Sequence, residues 1–399
     1  MQSSPLTALF LLATALLATA SGCGEEATTT AAGTTTATSG TTGTTGTTGS
    51  GGSGGAGTGG AGGSGPVCPP GAHPTEAGAC EAALTGWAAG PPIKHKRDHH
   101  VTFVTETPSG NFLYVAAGAG SSSATLAIER AAIAEDGTLG AFSDVAQLPT
   151  GIIGPGLAQL DRAFVLGGGL GSDSNSSAAT YVGKIADDGA VTLTKGPDLG
   201  ASRYHVSLVY VKGFVFALGG LFQQVTGGNV KQDVVDTVER AGFDGTTLSA
   251  FTMMPPLPTK LTHHATFVHD GAIYVLGGGS NLAAVPDILR ASVSDTGDLG
   301  AWETVGQLSE GRASPAVTVF LDQLYVIGGM TSLTGGEQST VLGGALDATG
   351  MLGSFSPLAP LPKARAHSHQ APLYHGHLYS VGGSINHVPQ AQVYVGSFQ

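Results

Sequence analysis

The chain has 399 residues with 64 glycines, 11% charged residues and a net charge of −12. No lysine or arginine occurs before Lys94, and no basic stripe follows, which excludes nucleic acid as the main partner. The length suggests two or three domains, but the first sixth is low-complexity and cannot form one.

In chain order, "LTALFLLATALLATASGC" from Leu6 reads as a secretory apolar segment, too short to span a bilayer comfortably. Its end, "ASGC", resembles a bacterial lipobox, which implies a signal peptide at 1–22 and lipidation of Cys23. An ordinary signal peptide cut nearby, leaving Cys23 free, is the alternative. Gly24 after the cysteine implies sorting to the outer membrane, so the expected location is the bacterial cell envelope, periplasmic or surface-facing. Residues 24–66 are almost wholly Thr, Gly, Ser and Ala and are expected to be a disordered tether. Such a tether averages roughly 35–40 Å end to end. Cys68 and Cys80 bracket the Pro/Gly-rich loop 67–83 and are expected to pair in an oxidising compartment.

From residue 84 onward an apolar run repeatedly ends in glycine: "LYVAAG" at Ala117–Gly118, then glycine pairs at 167–168, 219–220, 277–278, 328–329 and 382–383. Successive second glycines lie 50, 52, 58, 51 and 54 residues apart, a period that marks a repeat array. An aromatic precedes each pair at a near-constant distance, as Phe142, Phe251, Trp302 and Phe355. Leu193 holds that place in one degenerate repeat, and Trp87 holds it for the first. Each unit reads as four short strands separated by turn residues. The chain stops at "AQVYVGSFQ", one strand short, while "LTGWAAG" at 84–90 is a strand without a unit. The N-terminal strand around Trp87 is therefore expected to complete the last unit and remove its free edge.

The glycine pairs, the preceding tyrosines and the aromatics resemble the kelch repeat over residues 84–399. The resemblance implies an all-β, six-bladed kelch-like β-propeller, closed through Trp87, with a central channel.

Counting back from the glycines puts His99, His205 and His263 at one equivalent position, with Ile153, Ser314 and Ser368 completing a ring. Arg97, Arg203, Lys260, Arg312 and Arg365 lie just ahead. Three readings follow, the last and least favoured being a metal site. In the first, these residues tie blades together, as the kelch resemblance implies. In the second, they surround one channel mouth with positive charge and bind a carboxylate, phosphate or acidic sugar. No metal site is expected: Asp98, the neighbour of His99, points to the opposite face if both lie on a strand. His367, His369, His375 and His377 read as polar turn and strand residues. The longest loop after a glycine pair, 221–234, offers Phe222, Gln224 and their neighbours as contacts for sugar or peptide.

No catalytic residue is assigned and no cofactor is expected. A galactose-oxidase-like site needs a cysteine in the propeller, and none follows Cys80. From residue 67 onward, nucleophile-elbow and zinc-protease motifs are missing as well. The sequence favours a monomeric, lipid-anchored binding module for an unidentified protein or glycan, touching the membrane only through its anchor. The alternative is a sugar-processing enzyme resembling the periplasmic kelch mutarotase of sialic acid.

Overall fold

The computed structural model describes residues 67–280 and 282–399. The signal segment 1–22, Cys23 and the segment 24–66 lie outside the described residues. Among those described there is no helix, and so none long and apolar enough to cross a membrane.

Six four-stranded antiparallel sheets make up the body. Blade 1 runs Val101–Thr107, Gly110–Ala116, Ala127–Ile133 and Ser143–Gln147. Blades 2 to 5 repeat this order, with inner strands Gly156–Leu160, Ser207–Val211, Ala265–His269 and Ala316–Phe320. Blade 6 takes Leu373–Tyr374, His377–Val381 and Val393–Phe398 from the C-terminus and its outer strand, Leu84–Gly90, from the N-terminal side. The six inner strands follow one another around a common axis. The result is a six-bladed β-propeller.

The second strands are largely continuous runs of apolar and aromatic residues, clearest in Phe214–Leu218 and Ala272–Leu276. A continuous run, without polar alternation, suits a strand covered on both faces. Neighbouring blades provide that cover: Phe103, Tyr114 and Ile128 of blade 1 share a core with Phe164 and Leu166 of blade 2.

Closure follows the expected route. Trp87 pairs with Gly396, and its indole N–H donates to Ala359 O at 2.9 Å, a carbonyl of the blade 5–6 connection. Trp87 is half-buried, as are Phe251, Trp302 and Phe355, whereas Phe142 is buried. Cys68 and Cys80 form a disulfide, and their loop packs on blade 6, where Gly71 sits against the backbone of Gly376.

The glycines set the blade-to-blade geometry. The second residue of each pair donates its N–H to a carbonyl of the following blade. These bonds run from Gly118 to Ile152 (2.8 Å), Gly169 to Arg203 (2.9 Å) and Gly220 to Leu261 (2.8 Å). They continue from Gly278 to Arg312 (2.8 Å) and Gly329 to Arg365 (2.7 Å), and Gly383 returns to Arg97 at 3.0 Å. In blade 2 the functional pair is Gly168–Gly169, one residue beyond the expected Gly167–Gly168, because three glycines stand in a row there. A second tie joins the tyrosines to the turns between the outer strands. Tyr114, Tyr274 and Tyr379 donate to the carbonyls of Gly189, Gly350 and Gly137, each in the next blade.

Segment 221–234, expected as a loop, is a hairpin: Leu221–Thr226 pairs with Asn229–Val234 around Gly227 and Gly228, both at positive φ. Two left-handed residues at a hairpin tip match the right-handed twist of its strands. Blades 5 and 6 carry shorter hairpins at the same place, Met330–Ser332 with Gly335–Glu337 and Ser384–Ile385 with Val388–Pro389.

Candidate functional site

Ahead of each inner strand a residue two positions past the arginine, or its equivalent, adopts a left-handed conformation. These are His99 (φ 52), Gly154 (63), His205 (50), His263 (59), Ser314 (48) and His367 (58). They form a backbone belt around the axis. His99 N donates to His367 O (2.8 Å), Gly154 N to His99 O (2.9 Å) and His205 N to Gly154 O (2.9 Å). On the other side Ser314 N donates to His263 O (2.6 Å) and His367 N to Ser314 O (3.3 Å). This corrects the expected ring, in which Ile153 and Ser368 stood where Gly154 and His367 do. Counting from the glycines failed in blade 6 because one residue more separates His367 from Gly382 than Ser314 from Gly328. Counting from the arginine succeeds, since Arg-x-His recurs at 97–99, 203–205 and 365–367.

The left-handed kink throws four imidazoles together on the axis. His99 stacks on His367 with ring centroids 3.9 Å apart, and His205 stacks on His263 at 3.7 Å. His99 and His205 meet edge to face at 4.9 Å. His369, expected to be a polar strand residue, joins the cluster 5.8 Å from His205 and 6.0 Å from His99. His375 and His377 do not: His375 lies beside Glu106, and His377 packs on Gly137.

Asp98 bonds His99, contrary to the opposite-face expectation. Its Oδ1 lies 2.8 Å from Nδ1 of the ring, and both side chains are buried. The strand rule does not hold there because His99 stands before the strand at φ 52, which turns consecutive side chains toward each other. Two more cluster histidines are oriented the same way: His367 Nδ1 by Ser384 Oγ at 2.9 Å, and His263 Nδ1 by Thr262 Oγ1 at 3.2 Å.

Burial is the main cause holding His205, His263 and His367 well below the ordinary imidazole pKa, and their histidine neighbours lower them further. Burial likewise brings His369 down to about 3. These rings are therefore neutral at physiological pH, with lone pairs available.

The arginines do not line a mouth. Arg97, Arg203, Arg312 and Arg365 are all buried, with no more than 2% exposed. Arg97 pairs with Glu129 and donates to the carbonyls of Ala117 and Ala127. Arg203 pairs with Glu239 at 2.8 Å and donates to Thr237 O. Arg312 reaches Gly328 O and Thr340 Oγ1, and Arg365 reaches Ala364 O and Gln392 Oε1. Each guanidinium grips its own blade, while the same residue's carbonyl accepts the glycine N–H of the blade before. This is the tying role, and it replaces the anion-binding reading. Lys260 is exposed and pairs with Asp233 of the blade 3 hairpin at 2.9 Å.

A cavity of about 210 Å³ runs from the cluster between the inner strands, lined by His205, His264, Gln159, Thr266, His369 and Gln370 among others. At the opposite end of the belt rise the three hairpins. Phe222 is half-buried beneath Lys231, whose ammonium lies 5.9 Å from the ring centroid, and Gln224 is exposed. Its neighbour Gln223 faces inward, bonded to Ser174 O at 2.7 Å and Tyr204 Oη at 3.2 Å.

No family model matches the chain. It is similar to "Kelch repeat and BTB domain-containing protein 1" of camelpox virus, 35% identical over 118 residues, covering 29% of this chain and 20% of the relative. The vaccinia virus (strain Western Reserve) "Kelch repeat and BTB domain-containing protein A55" is 34% identical over the same length. "Kelch-like protein terF" of Aspergillus terreus is 27% identical over 210 residues, half of this chain and 43% of the relative. The chain thus spans about a fifth of the length of its viral relatives. Six radial four-stranded blades make this chain a six-bladed β-propeller, and the relatives it is similar to are named for the kelch repeat.

Proposed function

We propose that the chain is a membrane-anchored, extracytoplasmic binding module that holds a protein partner on the face built by the three hairpins. One observation carries this reading: the hairpins are braced against their neighbours before any partner arrives. Ser176 N donates to Gln223 O at 2.9 Å and Val225 N to Asn175 Oδ1 at 2.7 Å, fastening the blade 3 hairpin to blade 2. Leu333 N donates to Leu282 O at 2.8 Å, and the His387 ring lies 3.1 Å from Thr334 O, joining blades 4, 5 and 6. Preorganised loops on a rigid scaffold bind with little ordering cost. Phe222, Gln224, Lys231 and the 52%-exposed Val388 supply mixed apolar and polar contacts on that face. The kelch relatives support an interaction role. The sugar-processing alternative draws no support from the arginines, which are satisfied internally.

The test is crosslinking in the native envelope with the wild-type chain and the pair Phe222→Ala, Val388→Glu. A defined protein adduct, lost in the variant at unchanged melting temperature, supports the proposal. Binding on a glycan array with no protein adduct moves the ligand to a sugar, and adducts indifferent to the substitutions overturn the face. Anchoring is tested separately: Cys23→Ala is expected to abolish lipid labelling and detergent partitioning, and retained labelling overturns it.

A further inference from the structure

The histidine cluster on the propeller axis has a chemistry that blade-tying does not use. Tying needs the backbone N–H and C=O of the belt, which Gly154 and Ser314 supply as well as the histidines do. Four imidazoles converging at that level, with a fifth beside them, are surplus to that task.

We propose that His99, His263 and His367 bind a divalent transition-metal ion of the zinc class, with His205 and His369 as flanking nitrogen donors. One ring nitrogen from each of the three lies within 4.8 Å of the others. Metal–imidazole bonds of about 2.1 Å in a tetrahedral site place ligand nitrogens about 3.4 Å apart, so each ring moves inward by less than about 1 Å. Imidazole donors without thiolate select Zn²⁺, Ni²⁺, Cu²⁺ or Fe²⁺ over Ca²⁺ or Mg²⁺.

The orientation of the rings is the second observation. Nδ1 of His99, His367 and His263 is turned to Asp98, Ser384 and Thr262 respectively. With Nδ1–H donating to those oxygens, Nε2 keeps its lone pair for a metal, and the Asp98 carboxylate makes the His99 ring a stronger donor. Thr262 and Ser384 bracket the segments that bridge the inner strand to the residue after the glycine pair, so their oxygens are placed by the fold. Third, His205 Nδ1 and His369 Nε2 are buried without a hydrogen-bond partner. A buried polar atom in that condition calls for an ion or water nearby. The cavity along the inner strands reaches the flanking rings of His205 and His369, and a water completes the fourth position that three ligands leave open.

The experiment uses the full chain, stripped with EDTA and titrated with Zn²⁺ and with Co²⁺ as a spectroscopic probe. The expected result is one equivalent of metal per chain and the visible bands of a tetrahedral, nitrogen-ligated Co²⁺. His263→Asn with His367→Asn abolishes both, and asparagine is chosen because it tolerates the left-handed conformation at these positions. Asp98→Asn, which removes no ligand, weakens binding by about 10- to 100-fold while the metal-free protein melts unchanged. Should the double variant fail to fold, the wild-type titration and Asp98→Asn decide. No stoichiometric uptake by the wild type, or Co²⁺ bands unaltered by the substitutions, overturns the site.

Discussion

The carbonyl oxygen of Arg312 accepts the N–H of Gly278 at 2.8 Å, and a Cβ on the adjacent Gly277 would lie 2.0 Å from that same oxygen. The seam between blades 4 and 5 therefore closes only where the side chain is missing. Gly168 and Gly328 stand in the same relation to Arg203 and Arg365, at 2.5 Å each.

Gly277→Ala is expected to cost more than the left-handed conformation alone, which is about 1–2 kcal/mol for an L-residue. Gly213→Ala is the control, because Gly213 has φ 87 and nothing within 4 Å of its missing Cβ. Calorimetric melting should show Gly277→Ala losing at least twice as much stability as Gly213→Ala. Equal losses refute the steric account of the glycine pairs.

The ring seam is tested at Trp87. Truncating a buried tryptophan to alanine costs about 3–5 kcal/mol, and Trp87 is half-buried, so Trp87→Ala should lose about 2–3 kcal/mol. Deleting residues 84–90 exposes the edge of Val393–Phe398 and should convert the protein to a light-scattering aggregate on warming. A soluble deletion variant with wild-type melting contradicts closure by this strand.

Arg203 and Glu239 form a buried pair, with side chains 0% and 1% exposed. Desolvation lowers the pKa of Arg203, and the Glu239 carboxylate opposes that. Removing either partner alone leaves an uncompensated buried charge, so Arg203→Met or Glu239→Leu should cost about 3–5 kcal/mol. The double variant should lose clearly less than the sum, measured as a coupling energy in urea unfolding. Strict additivity would show that the two side chains act separately.

The histidine cluster predicts a pH dependence for the metal-free chain. His205, His263, His367, His369 and His264 all have folded pKa values below the unfolded value, His264 at about 4. The unfolded chain therefore binds more protons. Stability is complete above the unfolded imidazole pKa near 6.5 and falls as the pH drops below it, by up to about 1.4 kcal/mol per pH unit for each such group. Between about pH 6.5 and 5 this loss precedes protonation of the carboxylates. Urea unfolding with EDTA present should show the decline, and His205→Asn should make it shallower by one group's share. A flat profile from pH 7 to 5 rules out neutral buried rings.

The fold was legible in the sequence because a propeller is encoded locally. Each apolar run, glycine pair and outer aromatic marks one blade, and the two incomplete units at 84–90 and 391–399 add to one. The hairpin at 221–234 was legible as an insertion but not as paired strands, since its alternation is weak and only the Gly227–Gly228 tip marks it. Tertiary structure alone decided the site. Which way Arg97 and Arg203 point depends on Glu129 and Glu239, about a strand and a hairpin away in sequence, and burial of those pairs removed them from the channel. His367 and His369 come from the last blade and meet His99 of the first only when the ring closes, and one extra residue in that blade hid their register. Strand spacing follows from neighbouring residues, whereas convergence on an axis is a property of the closed ring and of the left-handed kink that aims each imidazole inward.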